Sequence, residues 1–149
     1  MGSFVFTTLT QSPETMQVES ACLGVDASNK LTDNDKGKAV KMAAAENFVL
    51  CATTNEIEGI LVATEPVTYN DGFAFGSVQR RGRAEAKVGA NVATVVAVGD
   101  LVVADTQTAI DTAGGCEVIV GTPSTFLWRC IRVVSGTGVA GDPVIIERV

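Results

Sequence analysis

The sequence predicts an all-β protein: a compact β-barrel or sandwich of short strands, preceded by an extended N-terminal arm. Three observations lead there. From Ser20 onward, short runs of Val, Ile, Leu, Ala and Thr are broken at short intervals by Gly, Asn or Asp. Turn-forming clusters stand between the runs, at residues 33–37, 70–72, 113–115 and 135–138. A pattern of Gly, charged residue, gap and Val recurs in Gly37-Lys38-Ala39-Val40, Gly99-Asp100-Leu101-Val102 and Gly141-Asp142-Pro143-Val144. Its physical use is a strand opening: Gly takes the turn at positive φ, the charge stays in solvent and Val begins burial.

In chain order, residues 1–20 are rich in Thr, Ser and Gln, contain Pro13, and hold an apolar cluster of Phe4, Val5, Phe6 and Leu9. They read as an extended arm, either a frayed terminus or a segment whose phenylalanines pack against another subunit. Residues 21–149 read as a single barrel-like domain. Its strands are expected at 21–25, 39–42, 48–52, 59–64, 73–80, 84–88, 101–104, 117–120, 128–134 and 144–149. Residues 40–49 contain good helix formers around Met42 and Glu46, but Asn47 and a β-branched neighbourhood favour strand–loop–strand. Residues 91–98 suit a helix or a strand.

With 149 residues, the chain buries roughly two-thirds of its unfolded surface and needs no disulfide or metal staple. Seventeen acidic and 11 basic residues give a net charge of −6, so nucleic acid and anionic membranes are not expected partners. The absence of histidine removes the commonest general base and zinc ligand. No run approaches the roughly 20 apolar residues that span a bilayer. Residues 1–10 lack the basic start and apolar run of a secretion signal, which points to a cytoplasmic origin. Cys22, Cys51, Cys116 and Cys130 form no CxxC pair and read as reduced core thiols, with disulfides or a thiolate metal site as the alternatives.

No pattern marks a catalytic, metal or cofactor site. Asp33-Asn34-Asp35-Lys36-Gly37 begins like a calcium loop, but the twelfth position is Ala44 rather than Glu, so an acidic surface turn is expected. Ala39-Val40-Lys41-Met42 is similar to the tetrapeptide around the modified lysine of biotin carrier domains. Its second residue differs and three alanines follow, so Lys41 is read as a strand lysine facing solvent. Arg80, Arg81 and Arg83 form the dense basic cluster of an acidic chain. They read as a solvated hairpin tip or ion-pair site, or as guanidinium forks meeting carboxylates on a protein partner. RNA binding is the weaker alternative, because no aromatic platform accompanies them.

Taken in order, several segments resemble the decoration, or cement, proteins of tailed-bacteriophage heads. They are Gly-x-Ala-Val at 37–40, Ile-x-Gly-Ile-Leu at 57–61, Val-Gln-Arg-Arg-Gly at 78–82, Val-Gly-Asp-Leu-Val at 98–102, a Gly-Gly turn, and Gly-Asp-Pro-Val-Ile-Ile at 141–146. The resemblance implies a trimeric barrel-like protein on the outer capsid surface, made in the bacterial cytoplasm. It would clamp neighbouring major capsid proteins against internal DNA pressure, with no enzymatic activity and no cofactor. Terminal arms of that family reach neighbouring subunits, which would give Phe4, Val5, Phe6 and Leu9 a partner-binding role beside Arg80, Arg81 and Arg83. The chain departs from the shortest members in its long N-terminal segment and its four cysteines. Another virion component, such as a head-fibre base, neck or tail protein, is the alternative. A ligand-binding or cofactor-carrying barrel, or an enzyme, is less favoured.

Overall fold

A computed structural model of the chain describes residues 17–22, 31–43, 47–64, 75–107 and 115–149. The fold is all-β, and the ten strands among the described residues divide into two sheets that follow one another along the sequence. Strands β1 (Gln17–Cys22), β2 (Ala39–Met42), β3 (Phe48–Leu50), β4 (Gly59–Thr64) and β5 (Phe75–Arg81) form an open sheet in the order β1-β5-β4-β2-β3. All its neighbours are antiparallel. Strands β6 (Arg83–Val88), β7 (Leu101–Ala104), β8 (Cys116–Val120), β9 (Trp128–Val133) and β10 (Pro143–Arg148) close a barrel in the order β10-β6-β8-β7-β9. Within it, β6 and β8 run parallel, and the pairing of β9 with β10 completes the ring.

The expected strands at 39–42, 59–64 and 101–104 coincide with β2, β4 and β7. The first strand does not: it begins at Gln17, inside the span expected to be an arm, and pairs with β5 from Gln17↔Arg81 to Cys22↔Phe75. Its polar composition concealed it, because an edge strand needs only its backbone groups to pair. Residues 1–16, with Phe4, Val5, Phe6 and Leu9, lie outside the described residues. Of the two options for residues 40–49, β2 and β3 realise the strand–loop–strand one. Residues 91–98 form neither helix nor strand. The Asn91 amide is drawn to the Asp105 carboxylate at 2.9 Å and the Val96 amide to the Gly138 carbonyl at 2.9 Å, so the segment is held by scattered anchors rather than by a ladder.

The three strand openings behave alike. Gly37, Gly99 and Gly141 take φ of 84°, 98° and 90°, and Val40, Val102 and Val144 are fully buried. The expectation that the charged residue stays in solvent is corrected at Lys38, which is buried, whereas Asp100 and Asp142 keep solvent contact while bonding to their own turns. Lys38 is only 2% exposed and pairs with Asp35 at 3.1 Å. Asp100 accepts from the Ala97 amide at 2.9 Å. Asp142 accepts from the amides of Thr137, Gly138 and Val139 at 2.8, 2.9 and 3.1 Å. The two aspartates thereby satisfy the orphan amide donors of their turns.

Two hydrophobic clusters share the sheet. Trp128, Val88, Val102, Val118, Val144 and Ile146 fill the barrel, and Ala39, Cys51, Ile57 and Ile60 join them from the sheet side. The opposite face of the sheet packs Leu31, Val40, Phe48, Leu61 and Val78. The alternation of Ala39 with Val40 and of Ile60 with Leu61 therefore serves both cores.

Polar groups lock the two sheets together. Five consecutive residues between β3 and β4 each bond to the barrel side. The Thr53 hydroxyl donates to Asp105 at 2.9 Å, and the Thr54 amide to the Ala104 carbonyl at 2.9 Å. The Asn55 carbonyl accepts from the Ala104 amide at 2.9 Å. Glu56 holds the loop before β9, and the Ile57 carbonyl accepts the Trp128 indole N–H at 2.9 Å. Thr54 adopts φ of 68°, a conformation costly for a β-branched residue, which the paired bonds on either side hold in place. Elsewhere, the buried Gln107 side chain accepts from the Ala39 amide and donates to the Asp105 and Glu117 carbonyls, each at 2.8 Å.

Candidate functional site

The basic cluster sits where the chain leaves the sheet for the barrel. Between β5 and β6 stands Gly82 alone, at φ of 93°, so one extended segment bends and serves both sheets. Glycine is needed there, because side chains rarely adopt that φ. The Gln79 amide staples the bend by donating to the carbonyls of Arg81 at 2.9 Å and Arg83 at 3.0 Å. The Gly82 carbonyl accepts from the Arg148 amide at 3.1 Å, which brings the end of β10 against the bend.

The three arginines expected as a unit are separated by this geometry. Arg83 pairs with Glu147 at 3.3 Å, and Arg129 approaches the other oxygen of that carboxylate at 3.8 Å. Arg80 lies over the Phe48 ring, 5.8 Å from its centroid. Arg81 is exposed and lines a surface depression of about 350 Å³ with Arg148 and Val149. Arg148 is in turn stacked over Phe126 at 4.9 Å. Partial burial, followed by the like charges of Arg80 and Arg81, presses the Arg148 pKa below its ordinary value, while Glu58 and Glu56 oppose that shift. The guanidinium remains charged at any physiological pH.

Arg148 and its aromatic support were not legible in the sequence. Nothing near residue 148 points to residue 81, and only the antiparallel pairing of β10 with β6, Glu147↔Arg83, brings them to the same corner.

The carboxylates nearby bind the protein's own backbone. Glu56 accepts from the Ser124 amide and hydroxyl at 2.7 Å each, and from the Thr125 and Phe126 amides at 2.9 Å each. Those bonds, the Ser124 amide foremost, hold its pKa down at about 2. Burial pushes the Asp105 carboxyl up, but donors from Asn91, Thr106 and Thr53 outweigh it and leave the pKa below its ordinary value. The acidic turn is likewise committed: Asp33 binds Lys36 and the Thr64 hydroxyl, and Asp35 binds Lys38 and the Thr32 amide.

Cys51, Cys116 and Cys130 are free and buried, as core thiols should be. Desolvation pushes the Cys51 thiol up to about 12 and raises those of Cys116 and Cys130. Lys41 lies half-buried within β2 opposite Val49. Among the described residues, no group of three or more Cys, Asp or Glu is placed to hold a metal ion. No described helix is long and apolar enough to cross a membrane. Comparison with protein-family models, with curated proteins and with solved structures returns no match.

Proposed function

We propose that the chain is a non-enzymatic structural protein of a tailed-bacteriophage head. In this reading it binds the outer capsid surface as a homotrimer and ties neighbouring major capsid proteins together. The observation that carries the reading is the bracket-like build. A closed barrel is locked to a second sheet by consecutive bonds from residues 53–57, and Glu56, Asp105 and Asp142 are committed to loops rather than gathered in a cleft. Cross-bonding of this kind suits a clamp, which has to carry load between its neighbours. The segments that resemble the cement proteins also lead into or form strands: 37–40 opens β2, 57–61 runs into β4, 78–82 ends β5, 98–102 opens β7 and 141–146 opens β10. Three copies acting together would turn modest contacts into tight attachment.

The test combines light scattering on the purified protein with co-sedimentation against phage heads stripped of their own outer proteins. A threefold mass and capsid-dependent pelleting are expected. A monomer that stays in the supernatant overturns the reading.

A further inference from the structure

We propose that Arg81 and Arg148 form a binding site for carboxylates of an acidic protein segment, centred on the depression beside Val149 and flanked by Arg80. The site differs from the basic run seen in the sequence. Arg83 is withdrawn from it by Glu147, and Arg148 takes its place from the far end of the barrel.

Three features define what it accepts. The depression, about 350 Å³, is lined by two guanidinium-bearing residues on adjoining strand ends. The Phe126 ring supports Arg148 from one face, which leaves the planar N–H edge as the means of recognition, and that edge matches a carboxylate fork. Arg80 and Arg81 lie near enough to repel the Arg148 guanidinium, and Glu58 and Glu56 near enough to attract it. Two planar guanidinium forks at one depression suit single carboxylates and not the dense charge of a nucleic acid. A chain of net charge −6 also repels a polyanion at long range. The Phe48 ring is buried, and the Phe48 and Phe126 rings each already carry a guanidinium over one face.

The proposal rests on reading the chain as an assembling structural protein, and it is tested apart from capsids. The probe is a fluorescent ten-residue peptide of alternating Asp and Ser, titrated with the full chain at low and high salt. Wild type should bind with salt-sensitive affinity. R81A and R148A should each weaken binding at least about tenfold, in line with the loss of a charge-assisted hydrogen bond. R132A, an exposed arginine of β9, should leave it unchanged. Because Arg148 packs on Phe126, exposed Arg81 provides the variant whose fold is not in question. R81K should recover only part of the binding, since lysine keeps the charge and loses the fork.

Equal loss in R132A, or tighter binding of a single-stranded oligonucleotide or of inorganic phosphate, overturns the site. Wild type that fails to bind the peptide overturns it whatever happens with capsids. Wild type that binds the peptide through Arg81 but never pellets with capsids overturns the capsid reading and supports the site.

Discussion

The side-chain oxygen of Gln107 accepts the backbone amide of Ala39 at 2.8 Å, and through that bond the barrel holds the central strands of the neighbouring sheet. The same oxygen takes the Glu117 amide at 3.3 Å, and the side-chain nitrogen donates to two further carbonyls, so the buried amide is fully used. Gln107→Leu removes that partner from four backbone groups, of which the Glu117 carbonyl keeps the Asp105 amide at 2.9 Å. It should lower stability by about 3 kcal/mol, since each buried unpaired group costs roughly 1–3 kcal/mol and some regain water. Urea unfolding measures it, and an unchanged midpoint would show that the clasp contributes nothing.

Trp128→Phe keeps most of the ring volume but removes the indole N–H from the Ile57 carbonyl. A loss of about 2 kcal/mol is expected, from the orphaned carbonyl and the small cavity. Trp128 is the chain's single tryptophan. Circular dichroism, rather than intrinsic fluorescence, must therefore follow the variant, and stability equal to wild type would contradict the assignment.

Acid should act through Glu56. Its folded pKa, about 2, lies below the ordinary 4.5, so the stability it contributes is complete above about pH 4.5 and disappears as pH falls toward 2. The stability difference between wild type and Glu56→Gln should therefore shrink on acidification across that window. A difference that stays constant from pH 6 to pH 2 would show that the amides of residues 124–126 do not favour the ionised carboxylate.

Gly82→Ala places a side chain at φ of 93°, in the bend that feeds both sheets. A destabilisation of about 1–2 kcal/mol is expected. An alanine variant as stable as wild type would mean that the bend can relax.

In the native protein the thiols of Cys51, Cys116 and Cys130 should resist iodoacetamide at pH 8, because burial keeps them protonated. Peptide mapping after alkylation should find them modified only once urea unfolds the chain. Rapid native labelling of Cys116 would be incompatible with its burial.

The strand openings were legible because their signals are local: Gly37, Gly99 and Gly141 mark turns, and the Val three residues after each marks burial. What escaped were the side chains whose roles depend on distant partners. Lys38 looks like a solvated charge until Asp35 and the 3₁₀ turn at Asp33–Asp35 close over it. Gln107 and Glu56 have no flanking motif, since their partners are backbone groups brought near by the packing of one sheet on the other. The arginine site was half legible: Arg81 stands in an obvious basic run, whereas Arg148 reaches it only through barrel closure.

The division of the strands between the two sheets also sets a timetable for synthesis. Every strand of the open sheet precedes Gly82, so that sheet has all its pairing partners as soon as β5 leaves the ribosome. The barrel does not. Strand β6 is flanked by β8 and β10, and its side toward β10 stays unpaired until Pro143–Arg148 has been made. The nascent chain therefore carries a paired sheet, its barrel-facing side still uncovered, joined to an open half-barrel with exposed strand edges, a state prone to pair with another nascent chain. A cell translating many copies at once meets that hazard with every molecule, until the tenth strand closes the ring.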